Sequence, residues 1–210
     1  MIRILIADDH PVVRKGLGDI LTNAIAGVQC GEARTGQEAL EEVERRDWDL
    51  VMMDITMPGR SGLDALKEIK RARPNLPVLV LSIHPEAQYG KRALMAGASG
   101  YVNKMSAPND LVRAISQVLA GRLYVSPEMG EDLAARLKPD SGRQPHENLS
   151  NREFQVLRLL GSGRTPTQIA EELHLSLTTI STYRARILEK MNMRTTAELM
   201  HYALSNDLTD

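Results

Sequence analysis

Residues 51–58 read VMMDITMP, an apolar run that ends on a carboxylate and then turns at a proline. A valine and two methionines in succession suit a strand covered on both faces, because alternation is lost when neither face meets water. The pattern recurs. IRILIA (2–7), VQCGEA (28–33), DLVMM (49–53), PVLVLS (77–82) and SGYVN (99–103) read as strands. Between and after them, amphipathic stretches at 11–24, 37–46, 62–72, 86–96 and 107–120 read as helices. Strands alternating with helices of this length predict βαβ units, so residues 1–120 are expected to form an α/β domain around a five-stranded parallel sheet.

The bulk numbers leave room for more. A chain of 210 residues, 42% hydrophobic and 25% charged, accommodates two small folded domains rather than a disordered tail. The net charge of -1 gives no global electrostatic case for a nucleic-acid or membrane partner, so any such surface must be local. The one cysteine, Cys30, excludes an internal disulfide and a cysteine-rich zinc site. It reads as a small packed hydrophobe and points to a reducing, cytoplasmic setting. The start, MIRILIADDH, has too short an apolar run for a signal peptide, and no stretch approaches the roughly 20 apolar residues of a membrane span. A soluble protein with no membrane partner is expected.

The character changes near residue 121. Residues 121–148 mix prolines, glycines and charges and read as a linker, with PEMGEDLAARL (127–137) as one short helix. From 149 onward helix starts follow one another. Ser150-Asn151-Arg152-Glu153, Thr165-Pro166-Thr167-Gln168 and Thr195-Thr196-Ala197-Glu198 fit capping boxes, and Ser176 offers a simpler N-cap. Residues 149–210 are expected to form a small all-α domain of four helices, a helix-turn-helix domain.

Strand ends report on geometry, because ligands of an open α/β sheet bind beyond the carboxyl ends of its strands. Asp8 and Asp9 end the first strand, Asp54 the third, Ser82 the fourth and Lys104 the fifth. A doubly wound, flavodoxin-like order of 2-1-3-4-5 makes the three aspartates neighbours. Crowded carboxylates repel one another unless a cation is present, and an oxygen-only set suits a hard ion such as Mg²⁺. Lys104 and Ser82 supply an ammonium and a hydroxyl for a phosphoryl group, and an aspartate can be its nucleophile. Any one of these aspartates alone reads as a turn-former or cap; the set reads as a phosphoryl-transfer site. His10, before Pro11, reads as the start of a helix.

Residues 1–120, through ADDH, MMDITMPGRSG, LSIHPEAQY and GASGYVNK, resemble the receiver domain of two-component response regulators. The resemblance implies that Asp9 and Asp54 ligate Mg²⁺ together with the Thr56 backbone carbonyl, with Asp8 acting through water. It implies that Asp54 accepts phosphate from the histidine of a sensor kinase, that Lys104 pairs with the phosphoryl group, and that Ser82 moves toward it. Tyr101 then rotates inward into the released space. Thr56 and His84 match positions that tune the lifetime of the phosphate. Many receivers place proline after this lysine, whereas Met105 follows here.

In the second half, RTPTQIAEELHLSLTTISTYRARILEKM places a short turn between two helices. Ile180, Tyr183, Ile187, Leu188 and Met191 share one face of the second helix and are expected in the core. The opposite stripe, Thr178, Ser181, Thr182 and Ala185, is small, and Arg184, Arg186, Lys190 and Arg194 flank it. Small side chains permit close approach to base edges in a major groove, and flanking cations meet phosphates. Yet residues 139–210 carry eight Lys and Arg against nine Asp and Glu, which by itself argues mildly against DNA.

The stretch 149–204 is similar to the LuxR-type helix-turn-helix, and the whole chain to a response regulator of the NarL/FixJ class. The implied DNA contacts are Thr178, Thr179, Ser181, Thr182, Arg184, Ala185, Arg186 and Lys190, with serine at 181 where relatives often carry lysine. Partners implied are a sensor histidine kinase, double-stranded DNA and a second copy of the chain on activation. Leu199, Met200 and Ala203 of the last helix are candidates for the dimer contact or for core packing. The resemblance implies no enzyme beyond self-phosphorylation and dephosphorylation. Two other readings stay open: a phosphohydrolase using Asp54-Ile55-Thr56, and a regulator whose receiver acts without phosphorylation.

Overall fold

The computed structural model describes residues 1–105, 108–127, 129–131 and 144–209. The chain divides into two compact units, Met1–Leu137 and Lys138–Asp210.

In the first unit five parallel strands, β1 (Ile2–Ala7), β2 (Val28–Ala33), β3 (Leu50–Asp54), β4 (Val78–Ser82) and β5 (Gly100–Asn103), lie in the order 2-1-3-4-5. Helices α1 (Pro11–Ala24), α2 (Gly36–Arg45), α3 (Gly62–Ala72), α4 (Glu86–Met95) and α5 (Pro108–Leu119) complete the winding. Element bounds agree with the expected ones to within a residue or two. Every residue of β3 and β4 is buried, which is why these runs show no alternation. Ile4, Ile6, Leu50, Met52, Leu79, Leu81 and Val102 pack on one face with Leu21 of α1 and Leu111, Ala114, Ile115 and Val118 of α5. Leu5, Val51, Met53 and Val80, one register away, point to the other face and are equally buried.

The β2 edge strand behaves differently. Only Ala33 of β2 is buried, and Cys30 is exposed, against the expectation of a packed thiol. Partial desolvation and the Glu32 carboxylate hold that thiol above its ordinary pKa. After α5 the chain returns to the other edge. Tyr124 forms a parallel bridge with Gly100 of β5, so residues placed in the linker pair with the sheet. Pro127 and Met129–Glu131 are helical; the rest of the PEMGEDLAARL helix lies outside the described residues.

The second unit holds a 3-10 turn (Pro145–Asn148) and helices α6 (Asn151–Gly161), α7 (Pro166–Glu172), α8 (Leu177–Lys190) and α9 (Thr196–Ser205). Ser150 and Thr165 make full capping boxes, and the Ser176 hydroxyl accepts from the Thr179 amide. At α9 the Thr195 side chain accepts from Glu198 N–H, but Glu198 reaches back to the Arg194 amide, one residue beyond a true box. All four helices end through a left-handed residue: Gly163, His174, Asn192 and Asp207. After each, the next amide bonds back to the helix, as in Leu175 N–H to Ala170 O at 2.8 Å and Met193 N–H to Leu188 O at 2.9 Å. Ile180, Ile187 and Met191 of α8 are buried, while Tyr183 and Leu188 are half-buried at its margin. Leu199 and Ala203 are fully buried inside this unit, which removes them from a dimer contact; Met200 is half-buried. Ala203 sits against Gly161, where a Cβ would come within 2.5 Å of its own.

Candidate functional site

The carboxyl ends of β1, β3, β4 and β5 bring Asp8, Asp9, Asp54, Ser82 and Lys104 to one rim. The Lys104 amide donates to the Ser82 carbonyl at 2.8 Å, which fixes where the lysine leaves the sheet. Its ammonium lies 2.6 Å from Asp8 Oδ2 and 2.7 Å from Asp54 Oδ2. Asp8 and Asp54 are both buried. Burial raises the Asp54 carboxyl to about 6, against the lowering pull of Lys104. Burial alone would lower the Lys104 ammonium, but Asp54 and Asp8 outweigh it and leave its pKa raised.

Among the described residues, ligand atoms of Asp8, Asp9, His10 and Asp54 lie within 4.8 Å of one another. The three carboxylates of this group are hard oxygen donors, and set this close they fit a divalent cation. His10 N-caps α1 as expected, but its ring also rests on the cluster, with Nδ1 3.3 Å from Asp8 Oδ1 and 2.8 Å from Asp9 Oδ1. Thr56 sits at the mouth. Its N–H donates to Asp54 Oδ1 at 3.3 Å, and its own buried hydroxyl has no hydrogen-bond partner among the described residues.

Two supports had no signal in the sequence. Arg14 of α1 is buried; its Nε donates to Glu32 Oε2 at 2.7 Å and a terminal nitrogen to the Asp8 carbonyl at 2.8 Å, so it ties the acidic turn to β2. Gly62, the first residue of α3, lies against the backbone of Asp54, and its N–H donates to the Ile55 carbonyl at 3.0 Å. An arginine at 14 reads as surface charge, and the Gly62 contact joins residues eight apart across a turn.

The expected switch pair is also placed. Ser82 Oγ accepts from the His84 amide at 3.1 Å. The Tyr101 ring is already buried, its hydroxyl donating to the His84 carbonyl at 2.8 Å, and the His84 ring stacks on Tyr89. No cis peptide bond occurs among the described residues.

In the helical unit, α8 presents Thr178, Ser181, Thr182, Arg184, Ala185 and Arg186 to solvent. Thr179 is half-buried and shares a 2.8 Å hydrogen bond with Ser176 Oγ, and the Thr182 hydroxyl donates to the Thr178 carbonyl. Lys190 is exposed as well, and it also has a partner within this unit. Its ammonium lies 2.6 Å from Oε2 of Glu153, a buried carboxylate that also caps α6.

Residues 4–116 match the response regulator receiver domain, and residues 147–203 match the bacterial regulatory proteins of the luxR family. The chain is 34% identical over 210 residues to the response regulator UvrY of Escherichia coli K12, covering 99% of this chain and 96% of UvrY. It is 35% identical over 212 residues to the response regulator GacA of Pseudomonas aeruginosa, covering 100% of this chain and 99% of GacA. Among solved structures it is similar to RcsB of Salmonella enterica serovar Typhimurium bound to a promoter with the phosphomimetic BeF3-, with a TM-score of 0.63 and 29% identity over 98% of this chain and 100% of RcsB. A five-stranded receiver sheet with an acidic rim, followed by a LuxR-type helix-turn-helix and matched end to end by such relatives, places this chain among the two-component response regulators of the NarL/FixJ class, which are DNA-binding regulators of transcription.

Proposed function

We propose that Asp54 is the phosphoacceptor of this regulator and that Mg²⁺ is its cofactor. The observation that carries this reading is the Lys104 ammonium held within 2.7 Å of Asp54 and 2.6 Å of Asp8. An Asp54 oxygen attacks the phosphorus of a phosphohistidine on a sensor kinase. The P–N bond breaks, the imidazole leaves and takes a proton, and an acyl phosphate forms. Asp8, Asp9, Asp54 and the Thr56 carbonyl would hold the cation, which supplies charge neutralisation for the transferring group. With the carboxylates so neutralised, Lys104 no longer has to bridge them, and its ammonium is free to meet a phosphoryl oxygen. Ser82 donates to the same group, Tyr101 follows the Ser82 movement, and the Thr56 hydroxyl flanks the hydrolytic water. The chain catalyses only its own phosphorylation and dephosphorylation.

The output lies in α8. Its exposed small stripe of Thr178, Ser181, Thr182 and Ala185 enters a major groove, with Thr179 behind it and Arg184 and Arg186 on phosphates, while Lys190 serves the fold. Phosphorylation shifts the chain toward a dimer that engages two half-sites. The domains on this reading are a receiver at 1–120, a linker at 121–148 and a DNA-binding domain at 149–210. Among the described residues no helix is long and apolar enough to cross a membrane, which supports action in the cytoplasm.

Labelling with a small phosphodonor in Mg²⁺ tests the reading. Wild-type protein is expected to take up phosphate and Asp54→Asn to take up none. Full labelling of the variant assigns the acceptor elsewhere, and steady turnover of a phosphomonoester would favour a hydrolase.

A further inference from the structure

His10 is the N-cap residue of α1, yet its side chain caps nothing. Pro11 follows it and disfavours a helical backbone, so His10 is extended, with φ -89° and ψ 111°. Its carbonyl accepts from the Val13 and Arg14 amides, and its own amide donates to Asp8 Oδ1 at 2.8 Å. Arg14 also donates to the Asp8 carbonyl at 2.8 Å, so the turn from Asp8 to His10 is tied at both ends. The imidazole folds back over the rim. Its Nδ1 lies 2.8 Å from Asp9 Oδ1 and 3.3 Å from Asp8 Oδ1. Lys104 meets Asp8 on Oδ2, so lysine and imidazole approach that carboxylate at different oxygens.

One ligand atom each from Asp8, Asp9, His10 and Asp54 lies within 4.8 Å of the others. Ligands on opposite sides of one ion, with bonds of about 2.1 Å, stand roughly 4.2 Å apart, and neighbouring ligands stand closer. Small adjustments of these four side chains therefore bring all of them onto a single ion. The chemistry of the set is mixed. Carboxylates suit Mg²⁺, which takes oxygen and keeps several waters. An imidazole adds little for Mg²⁺ but favours borderline first-row ions. Three carboxylates with one imidazole also complete a four-coordinate shell, the closed arrangement that leaves zinc no open position.

We infer that His10 is a nitrogen ligand of the rim, and that with Asp8, Asp9 and Asp54 it takes borderline first-row ions such as Zn²⁺ and Co²⁺ into a closed set that shuts out a phosphoryl group. The regulator is then sensitive to the kind of divalent ion present as well as to its phosphodonor. Four side chains on one zinc ion leave no position for a phosphoryl oxygen, and they tie up the Asp54 carboxylate. That last consequence rests on the reading of Asp54 given above; the ligand set does not.

Titration of the metal-free full chain with Zn²⁺, Co²⁺ and Mg²⁺ tests it, with His10→Ala as the variant. The imidazole is 66% exposed and makes no capping bond, so its removal leaves the fold intact. Zn²⁺ affinity is expected to fall at least roughly tenfold in His10→Ala, since even outer-shell partners of a metal are worth that much. Mg²⁺ affinity is expected to stay within about twofold. Bound Co²⁺ should give the strong visible absorption of a four-coordinate ion in wild-type protein, and only the weak absorption of a six-coordinate ion in the variant. Unchanged Zn²⁺ affinity, or equal loss of Zn²⁺ and Mg²⁺ affinity, would overturn the imidazole as a ligand. Co²⁺ absorption of equal strength in the two proteins would overturn the closed set. Labelling by a small phosphodonor in Mg²⁺ reads the consequence. Zn²⁺ should suppress labelling of wild-type protein, and roughly tenfold more should be required for His10→Ala. Equal suppression of both would overturn the block. If wild-type protein takes up no phosphate in Mg²⁺ alone, the reading of Asp54 fails, and the titrations still decide the ligand set.

Discussion

A Cβ placed on Gly62 would lie 1.7 Å from the carbonyl oxygen of Asp54. Helix α3 therefore begins in van der Waals contact with the backbone that carries the proposed acceptor carboxylate. Gly62→Ala must push the start of α3 away from β3 or turn the Asp54 peptide. The expected cost is about 3 kcal/mol, at the upper end for an overpacked site. Denaturation followed by the fluorescence of Trp48, on the same unit, measures it, and phosphorylation should slow in parallel. A variant with unchanged stability and labelling would show that the contact relaxes freely.

Metal-free protein should carry a pH signature of Asp54. Burial holds this carboxyl at about 6 in the folded chain, above its ordinary value of 3.8. The folded state thus binds the proton more tightly, so stability is highest below the ordinary value and falls as pH rises through 6. Asp54→Asn removes the penalty. In EDTA at pH 8 it should exceed wild type by about 3 kcal/mol, with the gap closing toward pH 4. Mg²⁺ at pH 8 should also narrow it. Equal stability of the two proteins in EDTA across this range would rule out a strained carboxylate.

Lys190 should matter for folding more than for DNA. Burial alone would raise the Glu153 carboxyl, but Lys190 and the Ser150 amide and hydroxyl hold it below the ordinary carboxylate range. A depressed carboxylate contributes stability above its unfolded pKa of about 4.3, and loses that contribution as pH falls through the folded value. Lys190→Met is expected to destabilise the helical unit by about 1–3 kcal/mol at pH 7, and by much less near pH 3. Pulsed hydrogen exchange of α6 and α8 peptides along a urea series separates this unit from the receiver. A loss that persists undiminished at acid pH would assign it to packing of the lysine stem.

DNA contacts should divide by chemistry. Arg184→Ala is expected to weaken binding by a similar factor on all sequences and to reduce the salt slope by about 0.9, the release of one counterion. Thr182→Ala keeps the helix and exposes a smaller group, so it should change sequence preference with little change in slope. Mobility shifts across a salt series, on specific and scrambled duplexes, make the comparison. Loss of preference in Arg184→Ala would instead place that arginine on a base edge.

Local chemistry accounts for what was legible in advance. Buried parallel strands announce themselves as unbroken apolar runs, and helix starts as hydroxyl caps, because both signals depend on neighbours within a few residues. The rim was legible for the same reason: a residue at the end of such a run must lie at the end of a strand. Asp8, Asp9, Asp54, Ser82 and Lys104 thus declared themselves together. His10 declared itself only as a helix cap, since nothing local says that its ring folds back onto two carboxylates.

By itself, then, the sequence determined the alternation of strands and helices, the helical character of the second half, and the acidic rim with its lysine. The tertiary structure decided the rest. Cys30 is exposed because β2 is an edge strand, a fact set by strand order. Lys190 belongs to Glu153, 37 residues away, and Leu199 and Ala203 belong to the core because α9 packs on α6. Tyr124 belongs to the sheet because β5 leaves an edge free to pair. Periodicity says that a face will be covered, but what covers it depends on residues distant in the chain, and that choice exists only once the elements have packed.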